Sequence, residues 1–201
     1  MALADEFTSR AFGPITAIGV CGIGPCSLPV DSAGRPLHPA ILYGVDTRAK
    51  REVAELAERF GAEAILRPGG SALSSQAVRL EMLWMRRSEP EVWAETVRFL
   101  MASSYFVERL TGIYVLDHHS ASQCDPLYDI AAEVWITGSA DEVAPGLALP
   151  PLVWSDEVAG TVTPKTSEAT GMPAGSPVAR ARSMPGPKPS VLAYRPPGTP
   201  C

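Results

Sequence analysis

The chain has 201 residues, enough to bury a respectable core, so a single domain is the starting expectation. A formal net charge of −5 argues against a nucleic-acid footprint, and no run of like charge suggests an anionic membrane surface. No segment approaches the roughly 18 consecutive apolar residues of a membrane span, and the opening MALADEF carries two acids and no apolar signal-peptide run, so a soluble, cytoplasmic chain is expected.

Residues 1–14 read as a lead-in. The apolar run 15–21 then reads as a strand buried on both faces, with Cys21 as a small buried hydrophobe. Gly22-Ile23-Gly24-Pro25 breaks that strand and lets backbone approach whatever lies beyond its end. Residues 26–30 form a second short strand that meets the turn cluster Asp31-Ser32-Ala33-Gly34. A third strand covers 40–43. Asp46 stands where a helix N-cap belongs, ahead of a helix over 47–60 with Ala49, Val53, Leu56, Ala57 and Phe60 on one stripe and Gly61 as its stop. Two strand ends thereby deliver small residues, Tyr43, Asp46 and Arg48 to one edge, the place where ligands bind in open α/β sheets.

The spacing predicts a short ambiguous segment at 62–66, a loop at 68–70, and a helix capped by Ser74 or Ser75. In that helix Val78, Met82 and Met85 share a side, and Trp84 reads as core. Pro90 suits the first turn of another helix. Residues 98–102 read as a strand, and Ser103-Ser104 cap a helix carrying Phe106, Val107 and Leu110 up to Gly112. Further on come a brief strand at 114–116, short helices at 120–123 and 131–135, an extended pair within 153–162 and a last turn at 165–170. Alternating strands and helices give the α/β class. From residue 180 the sequence loses any period and is punctuated by Pro and Gly, so 180–201 is expected to be a disordered tail.

Other chemistries find no support. The four cysteines, Cys21, Cys26, Cys124 and Cys201, have neither zinc spacing nor a Cys-x-x-Cys pair. Asp117-His118-His119 and Cys124-Asp125 invite a metal reading. Adjacent His side chains in an extended segment point opposite ways, however, and no His-x-x-x-His exists, so no metal site is expected. Ser27 stands where a dinucleotide fingerprint needs Gly, and there is no Gly-x-Ser-x-Gly elbow or Walker A loop.

One resemblance covers most of the chain. Gly22-Ile23-Gly24-Pro25, Val30-Asp31-Ser32-Ala33-Gly34 through Leu37, Pro39-Ala40-Ile41-Leu42-Tyr43 and Asp46-Thr47-Arg48 resemble the FGGY carbohydrate kinases, the xylulokinase-like branch in particular. A Leu-Trp-x-Arg-Arg helix, a Glu-Pro-Glu helix start and a Tyr-x-x-x-x-Leu-Thr-Gly helix end follow in family order, so the resemblance runs over about 15–179. It implies an incomplete ribonuclease H-like (actin-like ATPase) N-terminal lobe of a sugar kinase. The family reaction is ATP-dependent phosphorylation of a ketopentose or related polyol, with ATP and Mg²⁺ as cofactors.

The same resemblance implies a substrate site at Gly24, Pro25, Tyr43, Asp46 and Arg48, with a sugar as the partner. Asp46 would accept from polyol hydroxyls, Arg48 would donate to a sugar oxygen, and Tyr43 would stack on the sugar face or sit in the core with its hydroxyl at a polar rim. Pro25 replaces a His that many xylulokinases carry, and Glu81 replaces a Lys. The family's phosphate-binding hairpin, its catalytic Asp after the segment matching Pro177-Val178, and its ATP-binding domain find no counterpart in this sequence. The chain is therefore expected to be a truncated, inactive piece that binds no ATP or Mg²⁺, with no catalytic residue of its own. Unpaired sheet edges would leave it open to self-association. The alternative is a non-catalytic α/β fragment that binds sugar or docks to a partner.

Overall fold

The computed structural model describes residues 14–42, 46–61, 77–124, 127–179 and 183–184. The strands are β1 (Ile18–Gly19), β2 (Gly22–Ile23), β3 (Cys26–Val30), β4 (Ile41–Leu42), β5 (Arg98–Leu100), β6 (Leu116–Asp117), β7 (Tyr128–Asp129), β8 (Val134–Trp135), β9 (Leu152–Val153), β10 (Val158–Thr161), β11 (Pro177–Ala179) and β12 (Ser183–Met184). The helices are α1 (Lys50–Phe60), α2 (Val78–Ser88), α3 (Pro90–Glu95), α4 (Ala102–Thr111), α5 (His118–Ser122), α6 (Thr137–Val143) and α7 (Pro164–Thr170).

The first apolar run is an interrupted strand. β1 lies parallel to β11 with Ile18 opposite Val178, and β2 lies parallel to β12 with Gly22 opposite Ser183. The register slips by one residue at the interruption. β10 covers the other edge of β11, antiparallel. Contrary to expectation, this run is not buried on both faces, and Cys21 is exposed. Ile18 and Val20 pack against the core of Val107, Val115, Ala159, Val162 and Val178, while Ala17, Gly19 and Cys21 face outward. Iodoacetamide should consequently alkylate the exposed Cys21 and spare the buried Cys26 and Cys124, read site by site by mass spectrometry. Burial pushes the Cys26 thiol up, only partly offset by the Ala102 N–H it accepts, and so keeps the reactive thiolate scarce. Rapid loss of Cys26 would contradict the placement of β3.

A second sheet has the order β4-β3-β5, antiparallel throughout. β3 spans the five residues expected, and the turn after it is set by its sequence. Asp31 Oδ1 accepts from the Ala33 and Arg35 amides, its Oδ2 meets Arg35 Nε at 2.7 Å, and Gly34 supplies a φ of 73°. The Arg35 amide and side chain together hold the Asp31 carboxyl below the usual carboxylate range. Over this sheet Ala49 with Leu56 of α1, and Val78, Leu80, Met82, Leu83 and Met85 of α2, are buried against Cys26, Ile41 and Phe99, with Val92 and Trp93 of α3 partly buried on the same core.

Several expected elements differ, each for a local reason. The first helix starts at Lys50 behind Ala49, with no side-chain cap, because Asp46 bonds to Arg48 instead. Helix α4 starts at Ala102 after Met101. Ser104, inside its first turn, accepts from the Met101 amide at 2.8 Å, and Phe106 is 53% exposed on the outer face. Residues 131–135 are not a helix. Asp129 Oδ1 accepts from the Ala131 and Ala132 amides, Glu133 takes a φ of 59°, and the chain folds back as the β7–β8 hairpin. The extended residues within 153–162 do not pair with each other; β9 joins β6 and β10 joins β11. His118 and His119 lie on α5, not on an extended segment. Ser183–Met184, within the stretch read as a tail, pair with Gly22–Ile23. Tyr43, residues 62–76 with the Ser74/Ser75 cap, and residues 185–201 lie outside the described residues.

Candidate functional site

Two strand ends approach one buried helix face. Gly24 and Pro25, joined by a cis peptide bond, lead directly into β3, and Cys26 pairs with Leu42 near the end of β4. The Cys26 thiol donates to the Ile23 carbonyl at 3.3 Å and accepts from the Ala102 amide at 3.1 Å, tying the corner to the first turn of α4. Gly22 is required there. A Cβ on it would sit 2.7 Å from Ser103 N and 2.8 Å from Ala102 Cβ, so the close approach expected of this glycine is made to α4.

Beyond β4, Asp46 and Arg48 form a compact ion pair. Arg48 Nε donates to both Asp46 oxygens at 2.9 and 2.8 Å, Nη2 lies 2.8 Å from Oδ2, and the Arg48 amide also bonds Oδ1. Burial works to raise the Asp46 carboxyl, but these donors outweigh it and hold the group below the usual carboxylate range. The guanidinium lies 4.5 Å over the Trp84 ring. Trp84 is half-buried and packs on the core, so it serves both as core and as the shelf for Arg48.

Glu81 connects the two strand ends. It is 1% exposed, and neither carboxyl oxygen has a hydrogen-bond partner. Burial, with the Asp46 charge adding to it and Arg48 partly opposing, pushes the carboxyl up to about 8. The Glu81 charge in turn acts on Cys26. Cys26 and Asp46 therefore share one electrostatic neighbourhood across Glu81. The sequence reading passed over this residue, noting only a reversed charge; the available signal was an acid among Val78, Met82 and Met85 on a buried helix stripe.

The alternatives are weaker sites. An interior cavity of about 30 Å³, lined by Cys26, Tyr114, Leu127 and Trp135, is far smaller than the roughly 300–1,000 Å³ of ligand pockets. An open groove of about 760 Å³ beside α4 and α7 contains none of the predicted residues. Three of its polar side chains are already engaged: Thr163 caps α7, Thr166 donates to the Arg109 carbonyl, and Glu108 pairs with Arg98 at 3.0 Å. His118 stacks on Trp154 at 4.4 Å and bonds the Tyr128 hydroxyl. Among the described residues no three His, Cys, Asp or Glu side chains are grouped to hold a metal ion.

The profile of the N-terminal domain of the FGGY family of carbohydrate kinases matches residues 10–183. The chain belongs to that family. The xylulose kinase of Escherichia coli K12 is 26% identical over 173 residues, which cover 85% of this chain and 34% of that protein. The crystal structure of xylulose kinase from Rhodospirillum rubrum superposes with a TM-score of 0.75 at 29% identity, covering 82% of this chain and 34% of that one. Plasmodium falciparum glycerol kinase, solved with ADP, shares the fold at a TM-score of 0.78 and 18% identity, over 90% of this chain and 37% of that one. The chain thus spans about a third of the length of these relatives. Its architecture is that of the N-terminal part of an actin-like sugar kinase, and no helix among the described residues is long and apolar enough to cross a membrane.

Proposed function

We propose that this FGGY chain binds a ketopentose or related polyol of the kind xylulose kinases phosphorylate, at a site made by Gly24, Pro25, Tyr43, Asp46 and Arg48. The observation that carries this reading is the Asp46–Arg48 pair, held on Trp84 and linked through the charge of Glu81 to Cys26, the residue after the Gly24–Pro25 corner. Arg48 already places two contacts on each Asp46 oxygen, so a polyol hydroxyl binds there by taking over one of them. Gly24 and Pro25 offer no side-chain donor, which leaves recognition at that corner to shape and to carbonyl oxygens. D-Xylulose should raise the melting temperature of the chain. Asp46→Ala should weaken binding about 10- to 100-fold, the range for losing a hydrogen bond to a charged group. An undiminished affinity in that variant would remove Asp46 from the site.

The reaction supported by family membership is transfer of the ATP γ-phosphate to a sugar hydroxyl. We further propose that this chain alone does not perform it. Phosphoryl transfer needs a positioned base and a metal–phosphate clamp. The place of the family's catalytic Asp, after Pro177-Val178, reads Ala179-Arg180-Ala181-Arg182-Ser183, which holds no acid to act as that base. Incubation with ATP, Mg²⁺ and a panel of ketoses and polyols should give no sugar phosphate; phosphorylation of any of them overturns this part. A second reading, docking without catalysis, is favoured by Ile23 and Leu42, which stand 51% and 44% exposed on strand ends. Oligomers that form regardless of sugar in sedimentation would support it.

A further inference from the structure

Glu81 takes no part in the proposed chemistry, and its burial with neither oxygen partnered calls for a cause. A buried acid with no hydrogen-bond partner is costly to keep, and such groups concentrate where a charge must be set. Glu81 lies three residues before Trp84 on α2, so the two share a helix face. Arg48 lies over that Trp ring, and its charge and that of Asp46 both act on the Glu81 carboxyl.

We propose that Glu81 is a positioning residue of the sugar site, acting through Arg48: uncharged, it leaves the guanidinium on Asp46, and ionised, it offers a second acceptor that draws the guanidinium away. The inference rests on the reading that Asp46 and Arg48 meet the sugar. It makes sugar affinity respond to pH through a group that does not itself touch the ligand.

The neighbouring elements leave few other charges to do this, His38, which acts on Asp46, being one. β3 contributes only the Cys26 thiol, itself pushed up by burial. From α1, Glu52 and Glu55 turn to Arg87, at 3.5 and 2.7 Å. Glu91 and Glu95 of α3 and Asp141 of α6 are exposed, and Glu89 before α3 is half-buried. On α2 itself Arg79 is buried. Asp46 and Arg48 are the two charges acting on the carboxyl.

The test labels glutamate carboxyl carbons with ¹³C and arginine with ¹⁵N and follows both by NMR from pH 6 to 10. One carboxyl resonance should titrate with a midpoint about 8, and the Arg48 Nε–H resonance should move with the same midpoint. Both transitions should vanish in Glu81→Gln. Glu81→Met, which lacks an acceptor, should hold Arg48 in its neutral-pH position throughout. A Glu81 carboxyl already ionised at pH 6, or an Arg48 resonance that behaves alike in wild type and both variants, overturns the proposal. D-Xylulose affinity measured over the same range should weaken about tenfold above the midpoint in the wild type and stay flat in Glu81→Gln. A flat wild-type affinity also overturns it. No binding at any pH defeats the sugar reading of the Asp46–Arg48 pair, while the coupled titration still decides the link between Glu81 and Arg48.

Discussion

Glu81→Gln is expected to abolish a pH dependence of stability that the wild-type chain shows between about pH 4.5 and 8. The unfolded carboxyl titrates near 4.5 and the folded one near 8. Below 4.5 both states carry the proton and no penalty exists. As pH rises through the window, the unfolded chain releases a proton that the folded chain retains, so stability falls. Above 8 the full penalty is present. At about 1.36 kcal/mol per unit, the loss is on the order of 4–5 kcal/mol, a large part of the roughly 5–15 kcal/mol of a typical domain. Glutamine keeps the shape and cannot ionise. The depressed carboxyls of Asp31, Asp46 and Glu55 act in the opposite sense, with stability lost as pH falls below the ordinary carboxylate range. Urea midpoints at pH 5, 6.5 and 8 should fall steadily for the wild type and stay level for the variant. Parallel curves would mean that Glu81 is solvated or paired.

Gly22→Ala is expected to cost about 2–3 kcal/mol, within the range of overpacking a tight contact. Its methyl would stand 2.7 Å from Ser103 N and 2.8 Å from Ala102 Cβ, and neither is the mobile end of a side chain. Relief requires the first turn of α4 to move, and that turn also donates the Ala102 amide to Cys26. Loss of stability should therefore come with faster alkylation of Cys26. Gly19→Ala is the control, since nothing lies within 4 Å of a Cβ there. Equal denaturation midpoints for the two variants would contradict the packing of α4 on β2.

Local chemistry was what the sequence made legible. β3, the Asp31–Gly34 turn, Pro90 at the head of α3 and the end of α4 at Gly112 follow from residue types a few positions apart, and each stands where expected. Misreadings arose where a distant partner or a side-chain bond decided. The exposure of Cys21 depends on β11, about 160 residues away in the chain. The short helix expected at 131–135 lost to the Asp129 side chain and a positive φ at Glu133. At the site, Asp46 and Arg48 were legible as a motif, but their bond to each other and the shelf provided by Trp84 needed three dimensions. Glu81 was visible as an anomaly whose meaning depended on what buries it.

The central claim is that the corner before β3 and the segment after β4 form one polyol site. Titration of the ¹⁵N-labelled chain with D-xylulose tests it most directly. The account predicts saturable shifts of the Gly24, Cys26, Asp46 and Arg48 amides with a common dissociation constant. Shifts confined to other residues, or none at millimolar sugar, would contradict it.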